Sequence, residues 1–316
     1  AMYDVAALGE LLIDFTCLST DADGYPTMAA HPGGAPANYL AALTKFGAKT
    51  AMIGKVGNDA FGRLLIKTLK GAGIDTRGML VSDDVFTTLA FVTLDDSGNR
   101  EFSFARKPGA DTQLRFDEID LGVIDASKVL HFGTLSMTNE PARDATYKAV
   151  EYAAGRGKLI SFDPNLRKPL WNDLDEAKRQ MLWGLRHADV VKISDEETEF
   201  LFSLAPEESA KHIINSFGVR LVYVTCGAEG CFYRTKTASG FVKALSGIAV
   251  KDTTGAGDIF GGSAMYGLLR AGGVPEKLTA EELENIVSFA CAWLSTTRAG
   301  GISSVPELGE VEAAMK

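Results

Sequence analysis

Short apolar runs recur along the chain near residues 4–8, 50–53, 129–132, 159–163, 190–193 and 221–225. Between them lie stretches with helical spacing: Phe61, Leu64, Leu65 and Leu69 share one face, and residues 140–156 and 176–188 repeat the pattern. Runs this short suit strands, and their alternation with amphipathic helices is the rhythm of strand–helix–strand units. The expected fold is therefore doubly wound α/β, with a mostly parallel sheet and helices on both faces.

Two segments depart from this rhythm. Residues 87–94 and 100–104 are rich in Thr, Val and Phe and flank Asp95-Asp96-Ser97-Gly98-Asn99, a hairpin turn signal. An antiparallel pair inside a parallel chain implies an excursion from the main sheet. Residues 13–16, followed by the polar stretch 19–25, supply a further strand for it. No repeat, low-complexity tract or linker divides the chain, so residues 1–316 are expected to form one domain.

The 316 residues carry 41 acidic and 32 basic side chains, a net charge of -9, with no Lys/Arg run suited to a phosphodiester backbone. This argues against nucleic acid or an anionic membrane as partner, and no apolar run reaches the roughly 18 residues of a membrane span. Cys17, Cys226, Cys231 and Cys291 form no C-x-x-C pair, and no signal peptide is evident, so a reducing cytoplasm is the expected location.

Asp252-Thr253-Thr254-Gly255-Ala256-Gly257-Asp258 precedes a helical pattern over 259–271, with Phe260, Ala264 and Leu268 on one face. A loop there sits at a helix N-terminus, whose unpaired N–H groups and positive dipole end attract anions. Gly255, Ala256 and Gly257 are small enough for a phosphate to touch the backbone. Asp258 is a poor neighbour for a resting phosphate but a suitable base for a hydroxyl attacking one. The combination points to phosphoryl transfer to an alcohol; the plain alternative is an Asp-capped helix after a glycine turn.

Gly33-Gly34-Ala35-Pro36-Ala37-Asn38 opens another helical pattern, with Leu40, Leu43 and Phe46 on one side. The glycines allow close approach of a ligand, Pro36 suits a first turn, and Asn38 offers both donor and acceptor to hydroxyls, although a simple helix entry reads equally well. Asp14 lies where an apolar strand is expected to end and Arg106 closes the hairpin; charged residues in such places are ordinarily solvated. Ser161-Phe162-Asp163-Pro164-Asn165-Leu166-Arg167 falls at the carboxyl edge of the sheet, where open α/β sheets bind ligands, and the fork of Arg167 suits phosphate oxygens. Lys192-Ile193-Ser194-Asp195-Glu196-Glu197 ends a strand and opens a helix, where the dipole alone favours acidic residues. Thr225, Gly227 and Gly230 read as part of a hairpin. Rival machinery is missing: residues 57–63 have Walker A glycine spacing but Arg63-Leu64 in place of Lys and Ser/Thr. His31, His131, His187 and His212 are too scattered to suggest zinc.

In this order, GELLIDF, GGAPAN, IGKVGNDAFG, TLAFVTL, FDPNLRKPLW, KISDEE and DTTGAGD resemble the signatures of the ribokinase-like (PfkB) sugar kinases, from residue 7 to about 306, and within that family they are most similar to fructokinases. The resemblance implies transfer of the γ-phosphoryl of ATP to the 6-hydroxyl of D-fructose, with Mg²⁺, Asp258 as base and the Gly255, Ala256 and Gly257 amides as anion hole. It implies substrate contacts from Asp14, Gly33, Gly34, Asn38, Arg106 and Arg167, and nucleotide contacts from Lys192, Ser194, Thr225, Gly227, Gly230 and Gly257. Glu197 would organise hydrated Mg²⁺, and Asp252 and Thr254 would help hold a monovalent cation such as K⁺. Ser194 stands where ribokinases carry Asn, as in fructokinases. Segments 14–31 and 86–107 would form a small β-sheet lid, which in the family can pack against a second subunit's lid in a homodimer. A 2-keto-3-deoxygluconate kinase, a ribokinase or nucleoside kinase, and a catalytically silent sugar-binding regulator remain open.

Overall fold

The computed structural model describes residues 2–245, 255–296 and 301–316. Its strands are β1 (Tyr3–Leu8), β2 (Leu12–Thr20), β3 (Pro26–Gly33), β4 (Thr50–Gly57), β5 (Asp75–Ser82), β6 (Leu89–Leu94), β7 (Arg100–Ala105), β8 (Ser127–Gly133), β9 (Leu159–Asp163), β10 (Val190–Ser194), β11 (Leu221–Thr225), β12 (Gly230–Arg234) and β13 (Ser239–Lys243). Among the described residues they form a nine-stranded sheet, β13-β12-β11-β10-β9-β8-β1-β4-β5, and a four-stranded sheet, β3-β2-β6-β7. Pairing in the large sheet is parallel from β11 to β5, and β12 and β13 extend it antiparallel at one edge.

Side-chain alternation explains why the expected runs are strands. Val5 and Ala7 pack on one face with Met52, Val129 and Tyr223, while Ala6 and Leu8 pack on the other with Ile53, Leu130 and Val222. Burial on both faces makes each strand a continuous apolar run. The helices Ala35–Lys45 and Ala256–Arg270 cover the first face through Leu40 and Phe260, and Ala142–Gly155 and Leu174–His187 cover the second through Ala145 and Ala177. All six expected runs are strands of this sheet.

The excursion is the four-stranded lid sheet. β1 ends at Leu8, the chain leaves through β2 and returns along β3, and the pairing of Leu12 with Gly33 delivers it to the helix starting at Ala35. β6 joins parallel to β2, and β7 closes the hairpin around Asp95, whose carboxylate accepts from the Ser97 and Asn99 amides. Asp14, expected at the end of an apolar strand, sits instead inside β2 opposite His31. Three strands were not foreshadowed in the sequence, β3, β5 and β13, and each is an edge strand. Edges bury one side and tolerate charge, Pro and Gly, so their hydrophobic signal is weak.

Sheet order reverses between β1 and β8: the chain first builds outward through β4 and β5, then returns to the other side of β1. Ligands of open α/β sheets bind beyond the carboxyl ends of strands at such a point. Among the described residues no helix is long and apolar enough to cross a membrane.

Packing between helix Leu174–His187 and the sheet depends on Gly184, because a Cβ there would enter the ring of the fully buried Phe162. Gly→Ala within a helix ordinarily stabilises by about 1 kcal/mol. Here overpacking reverses the sign, and Gly184→Ala should destabilise by roughly 1–3 kcal/mol. A urea midpoint that rises in the variant would contradict this packing.

Candidate functional site

Two helices bring their first turns together at the carboxyl edge of the sheet. The first follows Gly34, whose φ of 126° is open only to glycine and whose absent Cβ leaves room for the Glu10 carbonyl. The second follows Gly255, with φ 78°. Gly262 lies against the Tyr39 carbonyl and Gly261 against the Tyr39 ring, so the helices approach closely. This proximity lets Asn38 Nδ2 donate to Asp258 Oδ2 at 2.9 Å, across 220 residues of chain.

Both partners are buried. Burial raises the pKa of Asp258 and the nearby Glu197 carboxylate adds to the rise, while Lys192, the Asn38 hydrogen bond and Arg167 oppose it. The Asn38 Oδ1 atom, also buried, has no hydrogen-bond partner among the described residues. An unpaired buried acceptor costs free energy unless a ligand supplies its donor. Asn38 thus faces the base candidate with one end and awaits a donor with the other.

Gly33 and Asp14 form a second unit. A Cβ on Gly33 would run into the Asp14 carboxylate. Burial pushes Asp14 up to about 6, against the opposing charges of Arg167 and His31. The exposed Arg167, whose Nη1 donates to the Leu166 carbonyl at 3.3 Å, acts electrostatically on both Asp14 and Asp258.

Arg106 is oriented differently from a solvated hairpin end. It is buried, and its guanidinium donates to Asp111 Oδ2 at 2.9 and 3.1 Å, to Thr138 Oγ1 at 2.8 Å and to the Leu135 carbonyl at 2.8 Å. These bonds pin the end of β7 to the segment that follows it and to the segment that follows β8.

Lys192 on β10 donates to Asp163 Oδ2 at 3.1 Å. Its burial, which alone would lower its pKa, is outweighed by Asp163, Glu197 and Asp258, so the ammonium stays charged. Glu197 accepts from the Leu166 amide at 2.8 Å and the Ser194 amide at 2.9 Å, while the Ser194 hydroxyl caps the helix Asp195–Phe202 by accepting from the Glu197 amide at 3.2 Å. Glu197 is thereby fixed by two amides, one on each oxygen, and each oxygen keeps a lone pair, a donor set that fits the ordering of metal-bound waters. Among the described residues no group of three or more His, Cys, Asp or Glu could hold a metal by itself. Thr225 ends β11 and is buried; Gly227 turns the chain, and Gly230 is required by packing, since a Cβ would strike the Val242 carbonyl. Asp252 and Thr254 lie outside the described residues.

Three buried carboxylates had no role assigned from sequence: Glu10, Asp111 and Asp163. Glu10 carried one signal, a charge embedded among apolar neighbours in Gly9-Glu10-Leu11-Leu12-Ile13. Glu10 Oε1 accepts from the Ala35 amide at 2.9 Å, at the start of the first helix. Burial, with Asp111 and Asp258 nearby, pushes it up to about 7.

The model of the pfkB family carbohydrate kinases matches residues 2–308. Fructokinase-2 of Solanum lycopersicum is 40% identical over 323 residues, covering 99% of this chain and 96% of the relative. The fold is similar to fructokinase of Xylella fastidiosa with bound ATP, at a TM-score of 0.90 and 29% identity over 99% of this chain and 98% of that one. It is also similar to a fructokinase double mutant of Vibrio cholerae O395 in its fructose-, ADP- and potassium-bound form, at 0.85 and 31% over 100% and 99%.

The Glu10 carboxyl gives a pH dependence of stability. Its pKa in the fold, about 7, lies above the ordinary 4.5. The folded state therefore binds more protons between these values, and this contribution is full below pH 4.5 and lost as pH rises through 7. Glu10→Gln keeps the acceptor for Ala35 and should flatten that loss by roughly 2–3 kcal/mol between pH 5 and 8. Denaturant midpoints with the same pH slope in wild type and variant would contradict it.

Proposed function

The chain belongs to the pfkB family of carbohydrate kinases, and on that premise we propose that it transfers the γ-phosphoryl of ATP to the 6-hydroxyl of D-fructose, with Asp258 as general base. The observation that carries this reading is the Asn38–Asp258 pair at the mouth of the Gly255–Gly257 loop, with Asn38 Oδ1 left for a hydroxyl donor. Fructose is chosen because the relatives named above are fructokinases.

In the mechanism, sugar is held between Asp14, Gly33, Gly34 and Asn38, and the lid sheet closes over it to keep water from ATP. Asp258 accepts the proton of the attacking hydroxyl as its oxygen reaches phosphorus. The raised pKa of Asp258 makes it a stronger base than a solvated carboxylate, and its hydrogen bond from Asn38 fixes its orientation. The amides of Gly255, Ala256 and Gly257 and the cations Arg167 and Lys192 meet the charge on the transferring group. Ser194, Thr225, Gly227 and Gly230 shape the floor beneath the nucleotide. Mg²⁺ on the ATP phosphates, its waters ordered by Glu197, would neutralise charge there; a K⁺ ion beside Asp252 and Thr254 belongs to the same reading. Exposed Leu18, Leu94 and Phe102 on the lid strands suit lid-to-lid pairing in a homodimer.

A keto-acid substrate would need a cation for its carboxylate, and Arg106 is already committed to Asp111. The test is ADP release from Mg-ATP against fructose, 2-keto-3-deoxygluconate, ribose, glucose and adenosine. Fructose should give the highest kcat/KM; a preference for the keto acid would move the carboxylate contact to Arg167, and no sugar-dependent release would overturn the enzyme reading. Gly33→Ala, which displaces Asp14, should raise KM for fructose by about tenfold, the value of one weakened hydrogen bond to a charged group. An unchanged KM would remove Asp14 from the sugar site.

A further inference from the structure

The Lys192–Asp163 pair is costly by itself. The two side chains keep 13% and 7% of their exposure, and an ion pair that deep gains little net stability, because desolvation offsets the attraction. Its geometry supplies a reason for it. A Cβ on Gly257 would lie 2.7 Å from Lys192 Nζ, so the ammonium rests against the backbone of the anion loop's last residue. Glu197 and Asp258 also act on this charge, and either could draw it away.

Asp163 is built to hold it in place. Its Oδ1 accepts from the Asn165 amide at 3.1 Å, which fixes the carboxylate at the end of β9, while Oδ2 takes Lys192. Behind the pair lies a small cavity of about 10 Å³ lined in part by His131, Ser161 and Tyr223. Ser161 bonds His131 Nδ1 at 2.9 Å and the Tyr39 hydroxyl at 3.2 Å, and Tyr39 stacks on His131 with ring centres 3.6 Å apart. Among the described residues the buried Tyr223 hydroxyl has no partner, and a cavity of this size accepts one water. This polar wall backs the pair without contributing another charged competitor, since burial holds His131 down to about 3 and neutral.

We propose that Asp163 is a positioning residue for phosphoryl transfer: it holds the Lys192 ammonium beside Gly257 and away from Asp258, leaving the other ammonium donors free for phosphoryl oxygens arriving at the loop. The proposal rests on the kinase reading above and assigns the buried pair a task within it. Lys192 carries three N–H donors, and the bond to Asp163 uses one. As charge shifts during transfer, the remaining donors meet it with no need for the side chain to reorganise. Without Asp163, the ammonium would turn to Asp258 and occupy the base.

The test is a double-mutant cycle on Asp163→Asn and Lys192→Gln, measured on the sugar with the highest turnover. Each single variant should lower kcat by roughly 10²-fold, the scale for a lost transition-state donor. Dissociation constants for ADP and sugar should stay within about threefold, because the effect lies in the transition state. The double variant should be no worse than Lys192→Gln alone, a non-additivity that a merely structural Asp163 would not give. Independent, multiplicative losses, or a Lys192→Gln enzyme with wild-type kcat, would overturn the proposal, and the latter reading stands even if Asp163→Asn fails to fold. A wild-type enzyme inactive on every sugar would remove the kinase reading and this inference together; an active wild type with insensitive variants removes the inference alone.

Discussion

The hydrogen bond between Asn38 and Asp258 organises the site, because it forms only where two helix N-termini from distant parts of the chain are packed side by side. It concentrates negative charge in a place with little water. Glu10, Asp163, Glu197 and Asp258 are all buried near one another, an arrangement that would be prohibitive without compensation. Compensation comes from Lys192, from Arg167 at the surface, and from the amides at the helix starts. The balance is incomplete, so Glu10, Asp163 and Asp258 hold protons more tightly than in water. Such a centre has spare affinity for protons, cations and hydroxyl donors, which is what an alcohol phosphorylation site requires.

The rest of the architecture serves that cluster. The large sheet, apolar on both faces, sets its carboxyl edge as a rigid platform, and β9, β10 and β11 end there with Asp163, Ser194 and Thr225. Glycines permit the close packing: Gly33 makes room for Asp14, Gly257 for Lys192, and Gly262 for the neighbouring helix backbone. The lid grows directly from β1 and returns to the helix bearing Asn38, so lid position and the proposed sugar contacts share one stretch of chain. Arg106 and Asp111 form the other anchor of that sheet.

Much of this was legible in the sequence. Interior strands announced themselves because both faces are buried, and the Asp95–Asn99 turn revealed the lid hairpin by local chemistry alone. β3, β5 and β13 did not, since an edge strand such as Pro26–Gly33 carries two prolines and a half-exposed pattern. The motifs located Gly255 to Asp258 and Asn38 at helix starts, as the structure has them. What sequence could not supply was pairing: that Arg106 spends its donors on Asp111, Thr138 and the Leu135 carbonyl, that Lys192 leans on Asp163, and that Glu10 lies beneath the first helix are facts of three-dimensional proximity. Solvation is the ordinary fate of an Arg at a hairpin end, and only the fold reverses it.

The central claim is that Asp258 accepts the proton of the attacking hydroxyl, and the most direct test compares wild type with Asp258→Asn in turnover and in equilibrium binding of sugar and ATP. Asn can still accept from Asn38 but cannot take a proton. The account predicts binding within about threefold and turnover lower by roughly 10²–10⁴-fold, the range for loss of a general base. Turnover within threefold of wild type would contradict it.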